Sequence, residues 1–265
     1  MKLILIFLSF FAFSIAPTFS QNLTEVVQLQ LLKGWRAENG THISGLKITL
    51  SPGWKTYWKQ PGETGLVPHF DWTGSKNVSA VKVLWPHPSI FDEDNFQSIG
   101  YKNKVILPIE FTPLNLSKVI KPKLKITLGV CEDLCVPISR VLRTKLRPSK
   151  TTIDQEIITY YNLLPKLVSK AKIKHITCGV ETRNNSLVFK SNIEMISKIF
   201  NVKAVAIELN QSKVWFDIPI FRAINSSLQV IAEIQNFDEG PLILDRSNII
   251  ITVLGDHKSI YFKGC

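Results

Sequence analysis

Cys131 and Cys135, separated only by Glu132, Asp133 and Leu134, are the side chains in this sequence best suited to chemistry, because two neighbouring thiols can interconvert with a disulfide. Their flanks, Leu124 to Val130 and Val136 to Leu142, are rich in β-branched and aliphatic residues, so the spacing predicts two strands joined by a three-residue loop. Facing strand positions lie about 4.5–5.5 Å apart at Cα, a distance that a disulfide can span. On a helix the same spacing would hold the Cβ atoms about 5–6 Å apart, too far for easy bonding, and Pro137 argues against a helix. The carboxylates of Glu132 and Asp133 disfavour a thiolate beside them. The pair is therefore expected to be a poor spontaneous nucleophile that reacts when docked to the right partner.

The N-terminus sets the redox compartment. Met1-Lys2, an apolar run from Leu3 to Ile15 and the small-residue site Thr18-Phe19-Ser20 read as a signal peptide, residues 1–20, with a mature chain from Gln21. The apolar run is too short to span a membrane comfortably, and no later stretch reaches the roughly 18 apolar residues a spanning helix needs. After export, four cysteines imply disulfides in one of three connectivities. The most economical is Cys131 with Cys135 and Cys178 with Cys265, the second being structural. The cysteine spacings match no common zinc pattern and the histidines are scattered singly, so neither a metal nor a cofactor is expected. The net charge of +11 comes from lysines dispersed along the chain. Without a basic helix or an aromatic ladder, that charge does not point to nucleic acid.

The elements that must hold the cysteines read as β-structure. Residues Thr24 to Leu50 alternate as strands do, with Glu38-Asn39-Gly40-Thr41 as a turn, and Trp54, Tyr57 and Trp58 read as an aromatic cluster in a β-sandwich core and at its rim in preference to a ligand-stacking patch. Phe91 to Tyr101 is acidic and turn-forming and reads as a solvated loop. Thr152 to Lys172 has apolar residues at helical spacing, interrupted near Pro165, and predicts a connecting helix. Beyond it, seven short strands predict a second sandwich: Leu187 to Ser191, Val202 to Leu209, Lys213 to Ile220, Leu228 to Ile234, Leu242 to Leu244, Ile249 to Leu254 and Ser259 to Phe262. The fold expected is all-β: an N-terminal sandwich over 21–149, a helical linker over 150–172 and a second sandwich over 173–265, both immunoglobulin-like.

An ordered set of motifs carries a family resemblance. Pro52-Gly53-Trp54-Lys55-Thr56-Tyr57-Trp58, Pro61-Gly62-Glu63-Thr64-Gly65, Trp85-Pro86, Gly100-Tyr101 and Val105-Ile106-Leu107-Pro108, followed by the cysteine pair, resemble the N-terminal domain of the thiol:disulfide interchange protein DsbD, in its stand-alone and ScsB-like forms. The resemblance covers roughly residues 25 to 147. It implies a periplasmic redox domain with Cys131 and Cys135 as its catalytic pair. It also implies a cap over them in the Phe91 to Tyr101 segment, with Phe96 preferred to Phe91 as the lid and Tyr101 beside them. Cys135 matches the cysteine that forms mixed disulfides in that family. The implied partners are a thioredoxin-like periplasmic protein and a membrane thiol electron carrier on another polypeptide.

The function expected is that of a protein-disulfide oxidoreductase relaying electrons through Cys131 and Cys135. The alternative is a non-enzymatic secreted β-sandwich, a binding or structural module in which both disulfides are staples. Chain entropy favours the relay: closing a five-residue loop stabilises by roughly 2 kcal/mol, against about 4.6 kcal/mol for a loop as long as Cys178 to Cys265. The short bridge is the weaker staple.

Overall fold

The computed structural model describes residues 26–93, 96–184, 186–209, 214–236 and 244–265. The expected signal peptide lies outside the described residues, as does most of the strand expected over Leu242 to Leu244. Among the described residues, ten strands build the N-terminal unit: β1 (Val27–Arg36), β2 (His42–Leu50), β3 (Lys55–Gly62), β4 (His69–Asp71), β5 (Ala80–Val83), β6 (Ser89–Glu93), β7 (Phe96–Lys102), β8 (Lys104–Thr112), β9 (Lys123–Cys131) and β10 (Cys135–Arg143). They form two antiparallel sheets, one ordered β1-β2-β8-β5 and the other β10-β9-β3-β7-β6, with β4 added to β9. The sheets close over a core that includes Leu46, Trp58, Leu107, Phe111, Ile126 and Val130. Strand alternation explains the division of labour, since successive side chains point to opposite faces. On β3, Thr56 and Trp58 turn inward while Lys55 and Tyr57 turn to the other face. Thr56 fixes this register by donating from Oγ1 to the Gly129 carbonyl at 2.8 Å.

The chain then enters helix α1 (Gln155–Tyr161), whose N-cap Asp154 accepts from the backbone N–H groups of Glu156 and Ile157. This helix is shorter than the spacing predicts. It packs Ile157 against Trp35, Ile43 and Ile106 of the N-terminal unit and stops four residues before Pro165. Ile153, Leu163 and Leu167, apolar positions around that pattern, are exposed. The remaining elements are β11 (Lys166–Leu167), a 3₁₀ turn over Lys170–Lys172, β12 (Ile173–Arg183), β13 (Ser186–Met195), β14 (Ala204–Leu209), β15 (Val214–Phe216), β16 (Ile220–Ile224), β17 (Ser227–Asn236), β18 (Ile249–Leu254) and β19 (Ser259–Lys263).

The C-terminal unit is again a pair of sheets. One is ordered β11-β19-β18-β14; the other is β12-β13-β17-β15, with β16 also pairing β17. Their shared core includes Phe189, Phe216, Val230, Ile251 and Phe262. The single strand expected over Lys213 to Ile220 is two strands, and the break contains Pro219, which has no N–H to donate to a ladder. The two units touch directly. Lys59 Nζ lies 2.5 Å from Glu208 Oε2, Gln60 Nε2 donates to the Ile207 carbonyl at 3.5 Å, and Ala204, Ala206 and Leu254 pack into the N-terminal core.

Candidate functional site

The loop Glu132-Asp133-Leu134 joins β9 to β10, and the register sets Cys135 opposite Cys131, then Val136 opposite Val130 and so on down the hairpin. The two cysteines are joined by a disulfide with their Cα atoms 4.1 Å apart. They differ in exposure: Cys131 is buried at 1%, whereas Cys135 is open to solvent at the start of β10 and Leu134 beside it is 79% exposed.

The hairpin is docked on β3, where Lys55 is the register partner of Cys131 and Thr56 of Val130. Residues directly opposite on paired strands share a face. The outward face of β3 therefore delivers Lys55 and Tyr57 to the disulfide. The Tyr57 ring is buried, yet its hydroxyl donates to Cys131 Sγ at 2.8 Å and lies 3.2 Å from Cys135 Sγ. Burial, reinforced by the charge of Glu93, pushes the Tyr57 phenol above its ordinary value. The hydroxyl thus stays protonated and able to donate. Gly53 opens the turn before β3 with φ +86°, and a β-carbon there would fall 2.2 Å from Glu132 Oε1. The bare turn gives the Glu132 side chain its resting place.

The segment expected as a solvated loop is a β-hairpin. Strand β6 pairs with β7 from Ser89 opposite Gly100 to Glu93 opposite Phe96, and Asp94 and Asn95 lie outside the described residues. The charge run misleads because its apolar residues alternate: Phe91, Ile99 and Tyr101 are buried, which ties the acidic stretch to the sheet. Gly100 permits the tight pairing of β7 on β3, since a β-carbon there would lie 2.0 Å from the Thr56 carbonyl oxygen.

The aromatic residues expected at the cap occupy three different environments. Phe96 is 52% exposed and lines a cleft of about 780 Å³ together with Lys55, Tyr57, Glu93, Cys131 and Cys135. Glu132 and Asp133 line the same cleft. Phe91 lies under two ammonium groups, Lys102 Nζ at 4.5 Å and Lys55 Nζ at 5.4 Å from its ring centre. Tyr101 is buried and donates its hydroxyl to the Pro86 carbonyl at 2.8 Å, and burial holds its phenol well above the ordinary value. Neither Phe91 nor Tyr101 lines the cleft.

Three residues of the cleft, Lys55, Tyr57 and Glu93, have no chemical role assigned to them by the sequence. Tyr57 reads there as one of an aromatic cluster in a sandwich core and at its rim, Lys55 as part of a motif, and Glu93 as one charge of an acidic run. Lys55 is buried, with its Nζ hydrogen-bonded and ion-paired to Glu93 Oε2; Glu93 Oε1 is 3.9 Å from Lys102. The Lys55 hydrogen bond holds the Glu93 carboxyl below the ordinary carboxylate range, against the opposing effect of burial. Nothing in the sequence marks Lys55 as buried; the structure alone places it on the face of β3 that meets the disulfide.

The second cysteine pair, Cys178 of β12 and Cys265, forms a disulfide far along the chain from the cleft, with a sequence separation of 87. Among the described residues, no helix is long and apolar enough to cross a membrane.

Comparison with known proteins places this geometry. Residues 28–146 match the family model described as "Thiol:disulfide interchange protein DsbD, N-terminal". No curated protein matches the chain. Among solved structures, the chain is similar to the N-terminal periplasmic domain of ScsB from Proteus mirabilis, with a TM-score of 0.61 and 22% identity, covering 90% of this chain and 92% of that one. The likeness extends over both β units and is a likeness of fold.

Proposed function

We propose, from the premise that residues 28–146 are a DsbD N-terminal-type domain, that the protein is a periplasmic thiol:disulfide interchange protein working through Cys131 and Cys135. The observation that carries this reading is the unequal exposure of one hairpin disulfide, with an open Cys135 and a buried Cys131 hydrogen-bonded to Tyr57. A thiolate attacks a disulfide in line with the S–S bond, and the sulfur that is reached becomes the mixed disulfide. Here Cys135 is the sulfur an incoming protein can reach. Cys131 is the leaving sulfur, received by a hydroxyl already in place.

Catalytic roles follow from that assignment. Cys135 forms the mixed disulfide and Cys131 resolves it; Phe96 is the lid that keeps small thiols from the pair; Cys178 and Cys265 are structural. The partners fitting this chemistry are a thioredoxin-like periplasmic protein on one side and a membrane thiol electron carrier on the other. Exposed Leu134 supplies an apolar contact beside the reacting sulfur for a partner of either kind.

Trapping tests the reading. Cys131→Ser, which leaves Cys135 free, is expected to accumulate a reductant-sensitive covalent complex with a thioredoxin-like periplasmic protein, and Cys135→Ser is not. A disulfide that stays closed in a redox titration down to the potential of structural disulfides, below about −300 mV, would transfer the case to a structural module.

A further inference from the structure

Lys55 is a buried ammonium at the wall of a redox cleft, and its strand neighbours determine what it can touch. It is opposite Cys131 on one side and opposite Lys102 on the other. Among the described residues, the carboxylate bonded to it is Glu93. The remaining charged groups of the cleft are Glu132 and Asp133, both exposed, and Glu132 rests against Gly53. Glu93 is thus the group that balances Lys55, and Glu93 sits on the hairpin that carries Phe96, directly across the ladder from it. Glu93 links the Lys55 charge beside the disulfide to the hairpin that carries Phe96.

We propose that Lys55 stabilises the thiolate expelled from Cys131 when the disulfide is attacked, and that Glu93, by holding or releasing Lys55, ties thiol acidity to the closure of the Phe96 hairpin. The inference rests on the exchange reading above and adds a residue and a control to it. The partner's thiolate sulfur bonds to Cys135 Sγ, and the Cys131–Cys135 bond breaks with its electron pair passing to Cys131 Sγ. The partner's sulfur is oxidised, Cys131 is reduced, and the Cys131 thiolate afterwards takes a proton from solvent. At the moment of bond breaking the new negative charge lies in a buried position, where an unpaired ion is costly. The Tyr57 hydroxyl supplies one hydrogen bond to it, and Lys55 supplies the opposing charge on the same face.

With the hairpin seated, Glu93 takes up the Lys55 charge, so a reduced Cys131 stays a thiol and the pair is quiet. With the hairpin displaced by a docked partner, Glu93 leaves with its strand, and the Lys55 charge is free to favour the thiolate. This gives the protein a reason to bury a lysine where a neutral side chain would pack at lower cost.

The test uses the full chain carrying Cys135→Ser, so that Cys131 titrates alone in the cleft, and reads its thiolate absorbance against pH. Lys55→Met is expected to raise the midpoint by about one unit, a roughly tenfold loss of thiolate near neutral pH. Glu93→Gln, at a half-exposed position that leaves packing intact, is expected to lower it by a similar amount, and Lys55→Arg to keep it near the starting value. In the same background, the alkylation rate at high pH, where all the thiol is ionised, is expected to rise severalfold in Glu93→Gln, because the hairpin has lost its tether. Midpoints that do not move in Lys55→Met and Glu93→Gln would overturn the inference. So would a midpoint raised in Glu93→Gln. The redox titration of the unsubstituted protein is independent of these readings: a shifted midpoint with an inert disulfide removes the exchange reading and leaves the Lys55 effect standing, and the reverse result removes the Lys55 effect alone.

Discussion

The Tyr57 ring is nearly as buried as that of Trp58, yet the two side chains serve opposite faces of the same strand. Trp58 fills the sandwich core, and Tyr57 carries its hydroxyl to both sulfurs of the disulfide. A tyrosine suits this position because its apolar body can be buried while its polar tip finds a partner. Replacing it with phenylalanine preserves the body and removes the tip. A hydrogen bond to a charged group contributes about 1.5–3 kcal/mol, and the charge on Cys131 exists only once the disulfide has begun to open. Tyr57→Phe is therefore expected to slow reduction of Cys131–Cys135 by a dithiol about tenfold or more while shifting the thermal midpoint little. Stopped-flow reduction against a melting curve checks both. This role was not legible in the sequence, because composition reports Tyr57 as one aromatic among several. The face it takes depends on where the β3 register begins.

At the scale of the element, the hairpin β9–β10 was the easiest feature to read and the hairpin β6–β7 the hardest. In the first, aliphatic arms and a three-residue connection dictate pairing, and the observed register of Cys131 with Cys135 follows from local geometry. In the second, the acidic residues dominate the composition, while the structure depends on Phe91, Ile99 and Tyr101 meeting the sheet below. That meeting is a long-range contact, which no local pattern encodes. The consequence for function lies in Phe96: it stands beyond the buried residues of its strand, half exposed and facing the cleft. An aromatic ring held at the edge of a sheet can shield a small disulfide and still be displaced by a larger surface, as gating elements commonly are. Phe96→Ala is expected to speed alkylation of the reduced cysteines by a small reagent severalfold at fixed pH. Phe91→Ala should instead lower stability, since Phe91 underlies Lys55 and Lys102. An unchanged rate for Phe96→Ala with a faster one for Phe91→Ala would reassign the lid.

At the scale of the whole molecule, the two sandwiches are joined by more than a linker. Helix α1 lies on the N-terminal unit through Ile157, and Gln60, Pro61 and Gly62 of β3 and Gln97 and Ile99 of β7 line a small cavity together with Val205, Ala206 and Ile207 of β14. The strand that presents Lys55 and Tyr57 to the disulfide thus continues into the interface, where Lys59 meets Glu208. Among the described residues, the second unit supplies none to the lining of the cleft. Within that unit, Cys178 and Cys265 join β12, the edge strand of one sheet, to the segment that follows β19 of the other. By the chain-entropy account a disulfide closing a loop of that length stabilises by about 4.6 kcal/mol. Pairing of these two cysteines was legible because Cys131 and Cys135 are neighbours in sequence, which leaves Cys178 to pair with Cys265; which sheets they would join was not, since the strand order of the second unit interleaves distant segments. Cys265→Ser is expected to lower the thermal midpoint of the C-terminal half by several degrees while leaving thiol exchange at Cys131 and Cys135 close to that of the unsubstituted protein. Calorimetry and an exchange assay on the same sample decide it. Loss of exchange with an unchanged melt would mean that the redox and structural roles of the two disulfides are reversed.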